Sequence, residues 1–266
     1  MKFDRSVNSI VKSCAAFDVI FIDVWGVLHN GEALFDKAVK FLEILKEQNK
    51  TVILITNSPK RAGDLEAFLD KLGLDRALFS SVITSGELLY HDLLHRHENH
   101  FHGIRNTLSV IDTEEKNAFF FHSLNLNINH DYTTSKNLLL YRIDGLSENE
   151  FNNLYDYVLT ERPLLICANA DKYVIHNGKR RRRPGLIAFD YAHTGGEVYI
   201  YGKPDRRIFN AAYETLGNIA KDKIAMIGDN IDTDIKGAMD FGIEAILLSH
   251  ESSYGENPGT IVYQPL

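Results

Sequence analysis

The sequence predicts an α/β protein built on a parallel sheet buried on both faces, and three observations predict it. Short, continuously apolar runs at residues 19–22, 52–55, 198–201 and 224–227 alternate with amphipathic stretches, the pattern of strands covered on both sides by helices. Each run is followed by a polar group: Asp23, Thr56, Lys203 after one glycine, and Asp229 after one glycine. The chain of 266 residues, 44% hydrophobic and 24% charged, is long enough for a substantial core, as one large domain or two modest ones. Parallel sheets bind ligands outside the carboxyl ends of their strands. Two carboxylates, a hydroxyl and an ammonium are therefore expected to converge on one crevice, a set that suits a phosphate and a divalent cation.

Taken in order, the first strand at 19–22 ends at Asp23 and opens the stretch Asp23-Val24-Trp25-Gly26-Val27-Leu28. Ala38, Phe41, Leu42 and Leu45 follow at i, i+3, i+4 and i+7, the stripe of an amphipathic helix returning across the sheet. After the second strand at 52–55, Ser58 is expected to cap a helix with Pro59 in its first turn and Gly73 at its end. A third run, Val82-Ile83, ends in Thr84-Ser85-Gly86. The pattern then changes until residues 197–203 resume the strand-then-polar theme, so an inserted domain is expected at 87–193, with 1–86 and 194–266 forming the core domain. Within the insertion, 108–111, 138–143 and 164–168 read as strands and 148–159 as a helix, and Thr194-Gly195-Gly196 reads as the return hinge. No internal repeat is present.

A formal net charge of −7 argues against a nucleic-acid partner, which calls for excess positive charge to neutralise backbone phosphates. No stretch approaches the length of a membrane span, and residues 15–28 are broken by Asp18 and Asp23. With no secretory signal pattern at its start, the chain is expected to be cytoplasmic and to have no membrane partner. Cys14 and Cys167 are far apart, which suggests neither a disulfide framework nor a thiolate metal site. Both are expected to be buried, unreactive thiols.

The chemistry of the strand-end residues can be argued one by one. A carboxylate attacks phosphorus to split one difficult displacement into two easier ones, and Asp23 is the candidate nucleophile. Carboxylate and phosphate repel, so a hard oxygen-ligated cation such as Mg²⁺ is expected on Asp23, Asp229 and a backbone carbonyl. Lys203 adds a fixed positive charge, and the Thr56 hydroxyl with backbone N–H groups at the Ser58 helix start can hold phosphoryl oxygens.

These pieces together resemble the haloacid dehalogenase (HAD) superfamily, class IIA, NagD-like phosphatases. They are Asp23 to Leu28 with Gly31, Ile55-Thr56-Asn57-Ser58, Gly202-Lys203-Pro204 with Ile208-Phe209, and the run from Gly228 through Asp229 and Asp234 to Ile235. The match spans nearly the whole chain, and four motifs in order with an insertion between the second and third are specific. The resemblance implies a Rossmann-like core with a parallel sheet and a mobile inserted α/β cap. It further implies Mg²⁺ held by Asp23, the Trp25 carbonyl, Asp229 and Asp234, catalysis by Asp23, Thr56 and Lys203, a small phosphorylated substrate, and homodimerisation. Asp234 matches the family's second acidic position, whereas Asp232 is read as a helix cap. Asn57 and Ser58 are candidate substrate-binding residues. So are Asn169 and Asp171, because Asn169-Ala170-Asp171 resembles the Asn-Pro-Asp element of such caps with alanine in place of proline.

Trp25 departs from that pattern. The resembled phosphatases carry a second Asp there, which protonates the leaving alkoxide, and losing a general acid costs about 10²- to 10⁴-fold, most for poor leaving groups. Three outcomes fit: a phosphatase for good leaving groups such as acyl or aryl phosphates, or one that recruits His29 as acid, against its plainer role as a loop histidine; a weak phosphatase or a binder of a phosphorylated ligand; or a dehalogenase, against which the fourth motif and the large insertion argue. Two further features are weighed against plainer readings. The run from Lys179 to Arg183 is either a solvated face or a recognition element for a second anionic group. His91, His95, His97, His100 and His102 are a solvated helix end rather than a zinc site, because no carboxylate or cysteine completes a ligand set.

Overall fold

The computed structural model describes residues 7–96, 98, 101, 104, 107–113, 120–121, 123–176, 178–248 and 261–263. The chain is α/β, as predicted, and divides into two units. The first comprises Met1–Thr56, Ala62–Ile83 and Lys203–Leu266, and the second Asn57–Arg61 and Thr84–Gly202. In chain order the strands begin with β1 (Val19–Ile22), β2 (Thr51–Thr56) and β3 (Ser81–Thr84). They continue with β4 (Thr107–Asp112), β5 (Asn127–Asn129), β6 (Asn137–Arg142), β7 (Leu164–Cys167), β8 (Tyr173–His176), β9 (Lys179–Arg182) and β10 (Val198–Ile200). The chain closes with β11 (Ile224–Gly228), β12 (Glu244–Leu248) and β13 (Ile261–Tyr263).

The first unit carries a six-stranded sheet in the order β13-β12-β11-β1-β2-β3. β1 is central and parallel to both neighbours, with Val19 opposite Ile224 on one side and Thr51 on the other. Covered on both faces, it can hold no polar side chain along its length, which is why Val19, Ile20, Phe21 and Ile22 are all buried. Helix α1 (Val7–Ser13) precedes the sheet, and α2 (Asp36–Glu47) buries Ala38, Phe41, Leu42 and Leu45, the stripe expected from spacing. Helix α3 (Ala62–Lys71) completes the first stretch of this unit.

The start of α3 corrects an expectation, since the helix begins at Ala62 rather than at Ser58 and Pro59. The carbonyls that would have accepted its first helical bonds are taken by the second unit's own residues. Ser58 O accepts from Gly86 N–H (3.1 Å) and the Ser85 hydroxyl (2.8 Å), Pro59 O from Tyr141 OH (2.7 Å), and Lys60 O from the Thr84 hydroxyl (2.7 Å). Residues 57–61 are thereby tied to the second unit although both flanking segments belong to the first.

The second unit has its own five-stranded parallel sheet, β10-β7-β6-β4-β5. Helix α4 (Ser85–Leu94) opens it, with the Thr84 hydroxyl accepting from Glu87 N–H at 2.9 Å, so Ser85 and Gly86 lie in a helix rather than in a turn. Gly86 is required there: a Cβ would sit 1.9 Å from Pro59 O. Helix α5 (Glu148–Glu161) is capped reciprocally by Ser147 and Glu150, and α6 (Gly185–His193) leads to β10. The strands read at 108–111, 138–143 and 164–168 are β4, β6 and β7.

The run at 198–201 was expected to extend the core sheet, but β10 pairs with β7, with Val198 opposite Leu165. A three-residue strand carries no label of the sheet it joins, and partner choice is decided by tertiary packing. The last crossing between units falls at 202/203 instead of the expected 193/194, and the crossing into the bulk of the second unit at 83/84 instead of 86/87. The edge strand β5 and the antiparallel hairpin β8–β9 were not read from the sequence, because a three-residue strand and a run of arginines give no period-2 hydrophobic signal. In the first unit the chain then forms α7 (Arg206–Glu214) and α8 (Lys236–Phe241), and Gly242 ends α8 at φ +88°. No helix among the described residues is long and apolar enough to cross a membrane.

Candidate active site

Asp23 is the first residue beyond β1, and its N–H bonds Ile227 O of β11 at 2.9 Å, so the strand pairing fixes where its carboxylate begins. The side chain is buried, as is that of Thr56, the last residue of the neighbouring β2. Lys203 enters the same region although it follows a strand of the other sheet. It is 1% exposed, and its ammonium donates to Asp23 Oδ1 and to Ile55 O (2.9 Å). It also lies 2.7 Å from Asp234 Oδ1. Burial pulls the Lys203 pKa down, but the attraction of Asp23 and Asp234 outweighs it and holds the ammonium above the ordinary lysine range.

Asp229 follows β11 directly, and Asp234 reaches back from the single wide turn at Ile231–Ile235 that precedes α8. The turn is organised by Asn230, whose side-chain oxygen accepts from Asp232 N–H (2.9 Å) and whose N–H donates to Asp234 Oδ2 (3.1 Å). Asn230 is the positioning residue that sequence reading missed. Its signal was an Asn at an N-cap position, which is common enough to pass unremarked. Asp232 is exposed while Asp234 is 1% exposed, and the cap is Asn230 rather than Asp232, the residue read as the cap.

Oxygen atoms of Asp23, Asp229 and Asp234 all lie within 4.8 Å of one another. Three carboxylates so close repel unless a cation or proton stands among them, and Lys203 supplies one positive charge against three. Asp234 Oδ1 is buried without a hydrogen bond of acceptable geometry, despite the nearby ammonium. The donor set is all oxygen and trinegative, which fits a hard divalent cation such as Mg²⁺. Trp25 lies on the loop between these groups. Its successor Gly26, at φ +83°, packs so tightly that a Cβ would fall 2.2 Å from Asp229 Oδ2.

His29 does not present itself as a proton donor from the nitrogen whose partner is known: Nδ1 accepts from Gly31 N–H at 2.9 Å. The ring is 3% exposed and meets Trp25 and Phe68 edge-on, at centroid distances of 5.4 and 5.3 Å. This is the geometry of packing.

The other sequence candidates gather in the second unit. Asn57 donates to Asp171 Oδ1 at 2.9 Å across 114 residues of chain, and Asn169 Oδ1 accepts from Asp171 N–H at 2.8 Å. Ser58, half-buried, is the neighbour of Asn57 and lies in the turn before α3 rather than at a helix start. Within the basic run, Arg182 binds both oxygens of Glu148 (2.7 and 2.8 Å), Arg183 pairs with Asp144 (2.8 Å), and Arg180 covers the Tyr173 ring at 3.5 Å. Most of that charge is thus used inside the unit. His91 and His95 stack at 6.4 Å near the end of α4, and His97, His100 and His102 lie outside the described residues. Among the described residues only Asp23, Asp229 and Asp234 form a cluster suited to a metal.

Comparison with known proteins finds matches over most of the chain. A model of haloacid dehalogenase-like hydrolases matches residues 20–122, and a second, HAD-hydrolase-like, matches 200–258. The chain is 25% identical over 244 residues to a phospholysine phosphohistidine inorganic pyrophosphate phosphatase of Bos taurus, covering 85% of this chain and 81% of the relative. It is 22% identical to the ribonucleotide monophosphatase NagD of Escherichia coli K12, over 92% of this chain and 93% of that one. A haloacid dehalogenase-like hydrolase from Brucella suis 1330 superposes with a TM-score of 0.79 at 28% identity, covering 90% of this chain and 88% of its own.

Proposed function

Because the chain belongs to the haloacid dehalogenase-like hydrolases, we propose that it is a Mg²⁺-dependent phosphatase acting on a small phosphorylated metabolite through an aspartyl-phosphate on Asp23. One observation carries the reading: a buried carboxylate at a strand end, held by a buried lysine and joined by two further carboxylates within 4.8 Å. Mg²⁺ would be held by Asp23, Asp229, Asp234 and the Trp25 carbonyl. When bound, it would screen the approach of an anionic phosphate to an anionic nucleophile.

The chain's own residues supply the rest. Asp23 forms the bond to phosphorus, and Lys203 keeps it aimed by direct hydrogen bonding. Thr56, buried at the end of β2, is assigned to a phosphoryl oxygen. Asn57, Ser58, Asn169 and Asp171 are assigned to recognition of the substrate. The Asn57–Asp171 bond supports treating Asn57 and Asp171 as one element.

One observation favours a second reading, in which the protein binds a phosphorylated ligand without efficient turnover: Trp25 stands where an acid would be needed. Steady-state hydrolysis of p-nitrophenyl phosphate and acetyl phosphate, with Mg²⁺ and with chelator, separates the two. Metal-dependent turnover that vanishes in Asp23→Asn is the expected result. Turnover no greater than that of Asp23→Asn would overturn the phosphatase and leave the binder.

A further inference from the structure

We propose that Trp25 is a substrate-contact residue whose indole stacks on the leaving group and directs the enzyme to aryl phosphate monoesters. The inference rests on the phosphatase reading and names the substrate class of that same site. Its starting point is the rigidity of the loop. Gly26 N–H bonds His29 O, Leu28 N–H bonds Val24 O, and Phe35 N–H bonds Leu28 O, each at 2.9 Å. Gly26 is also pressed against the Asp229 carboxylate. The main chain of Trp25 is therefore held between the nucleophile, two residues before it, and a metal-ligand candidate.

The indole on this frame is half-buried. It is braced by His29, which meets it at an interplanar angle of 77° and is itself braced by Phe68 at 70° and pinned through Nδ1 to Gly31 N–H. A partly exposed aromatic whose supporting ring is fully packed and hydrogen-bonded behaves as a fixed platform, because little rotamer freedom is left to lose on binding.

Two requirements then point to one chemical class. None of residues 24–28 carries an ionisable side chain, so this stretch offers no proton to the departing oxygen, and His29 is engaged through Nδ1 by Gly31 N–H. As the Asp23 oxygen–phosphorus bond forms and the bond from phosphorus to the leaving oxygen breaks, the electron pair leaves on that oxygen, which takes its proton from water. Water then attacks phosphorus, the acyl-phosphate bond breaks, its electron pair returns to the Asp23 carboxylate, and the water proton passes to solvent. Only a leaving group that is stable as an anion departs well in this way. A flat platform two residues along the chain from the nucleophile favours a flat partner. Phenolates meet both requirements, alkoxides neither, and the carboxylates released from acyl phosphates only the first.

Trp25 is the only tryptophan in the chain, so its emission reports the contact directly. Acrylamide quenching of the protein with Mg²⁺ would be compared under saturating phenylphosphonate, methylphosphonate and inorganic phosphate. Protection by phenylphosphonate alone is expected, and equal accessibility under all three would overturn the assignment. In parallel, Trp25→Leu should lower the ratio of kcat/KM for phenyl phosphate to that for ethyl phosphate by about threefold to tenfold, with Trp25→Phe keeping most of it. An unchanged ratio in both variants would also overturn it. Failure of the phosphatase reading looks different: no ester is hydrolysed in an Asp23-dependent way, and the quenching result alone then decides whether Trp25 meets an aryl ligand.

Discussion

At the scale of residues, the site is governed by one lysine among three carboxylates. Lys203 is 1% exposed and contacts both Asp23 and Asp234, so Lys203→Met would leave buried like charges facing one another. Removing one partner of a buried ion pair costs about 3–5 kcal/mol. The variant should therefore unfold at markedly lower urea concentration, and a midpoint equal to that of the parent would show that the carboxylates are already neutralised by other means. The Trp25 position gives a second test. If a missing acid limits the rate, Trp25→Asp should accelerate hydrolysis of alkyl phosphates more than that of aryl phosphates, because a general acid helps poor leaving groups most. Equal acceleration of both series would remove that explanation. Asp23, Thr56, Asp229 and Asp234 were legible in the sequence because each sits just beyond an apolar run or in a spaced acidic motif. The packing role of His29 was not, because a ring in edge contact with Trp25 and Phe68 leaves no spacing signature.

At the scale of elements, the segment 57–61 shows how tertiary bonds override local propensity. Ser58 and Pro59 are good residues for starting a helix, yet the carbonyls of Ser58, Pro59 and Lys60 are taken by Gly86, Ser85, Tyr141 and Thr84. Gly86 is the tightest point of this knot, with room for no side chain against Pro59 O. Gly86→Ala should push the start of α4 away from the segment and destabilise the protein by about 1–3 kcal/mol, the usual cost of overpacking. A thermal melt within error of the parent would mean that the segment yields freely. The central helices and strands were legible because their period and length are strong signals, as α2 illustrates with all four of its predicted stripe residues buried. The hairpin β8–β9 was not, since Lys179–Arg182 is stabilised by pairing with Glu148 and stacking on Tyr173 and Phe151, contacts that lie far away or on the opposite strand.

At the scale of the whole molecule, each unit keeps one thiol in its interior: Cys14 in the first and Cys167 in the second, both fully buried. Burial pushes each thiol up from 9.0 to about 12. Neither should react with a thiol reagent at pH 8 in the native protein, and both should react on unfolding, so the variants Cys14→Ser and Cys167→Ser would time the opening of the two units separately. Rapid native labelling of either would show that its unit opens. The raised values also set a pH dependence. The folded state retains protons that the unfolded chain releases, so this contribution is complete below about pH 9 and is lost as pH rises toward 12, by at most about 1.4 kcal/mol per pH unit for each thiol. Urea midpoints should fall across that window and fall less in the double serine variant. By itself the sequence determined the α/β class and the strands that lead into Asp23, Thr56 and Asp229, because burial on both faces forces apolar runs and leaves polar residues only at their ends, whereas Asp234 was singled out by its match to the family's second acidic position. Only the tertiary structure decided that residues 198–200 join the second sheet, that 57–61 belong to the second unit, and that Lys203 reaches Asp234 as well as the carboxylate of Asp23 it was expected to accompany. Those outcomes depend on which distant partners satisfy a carbonyl, an edge or a buried charge, and such partners are set by three-dimensional packing rather than by neighbours along the chain.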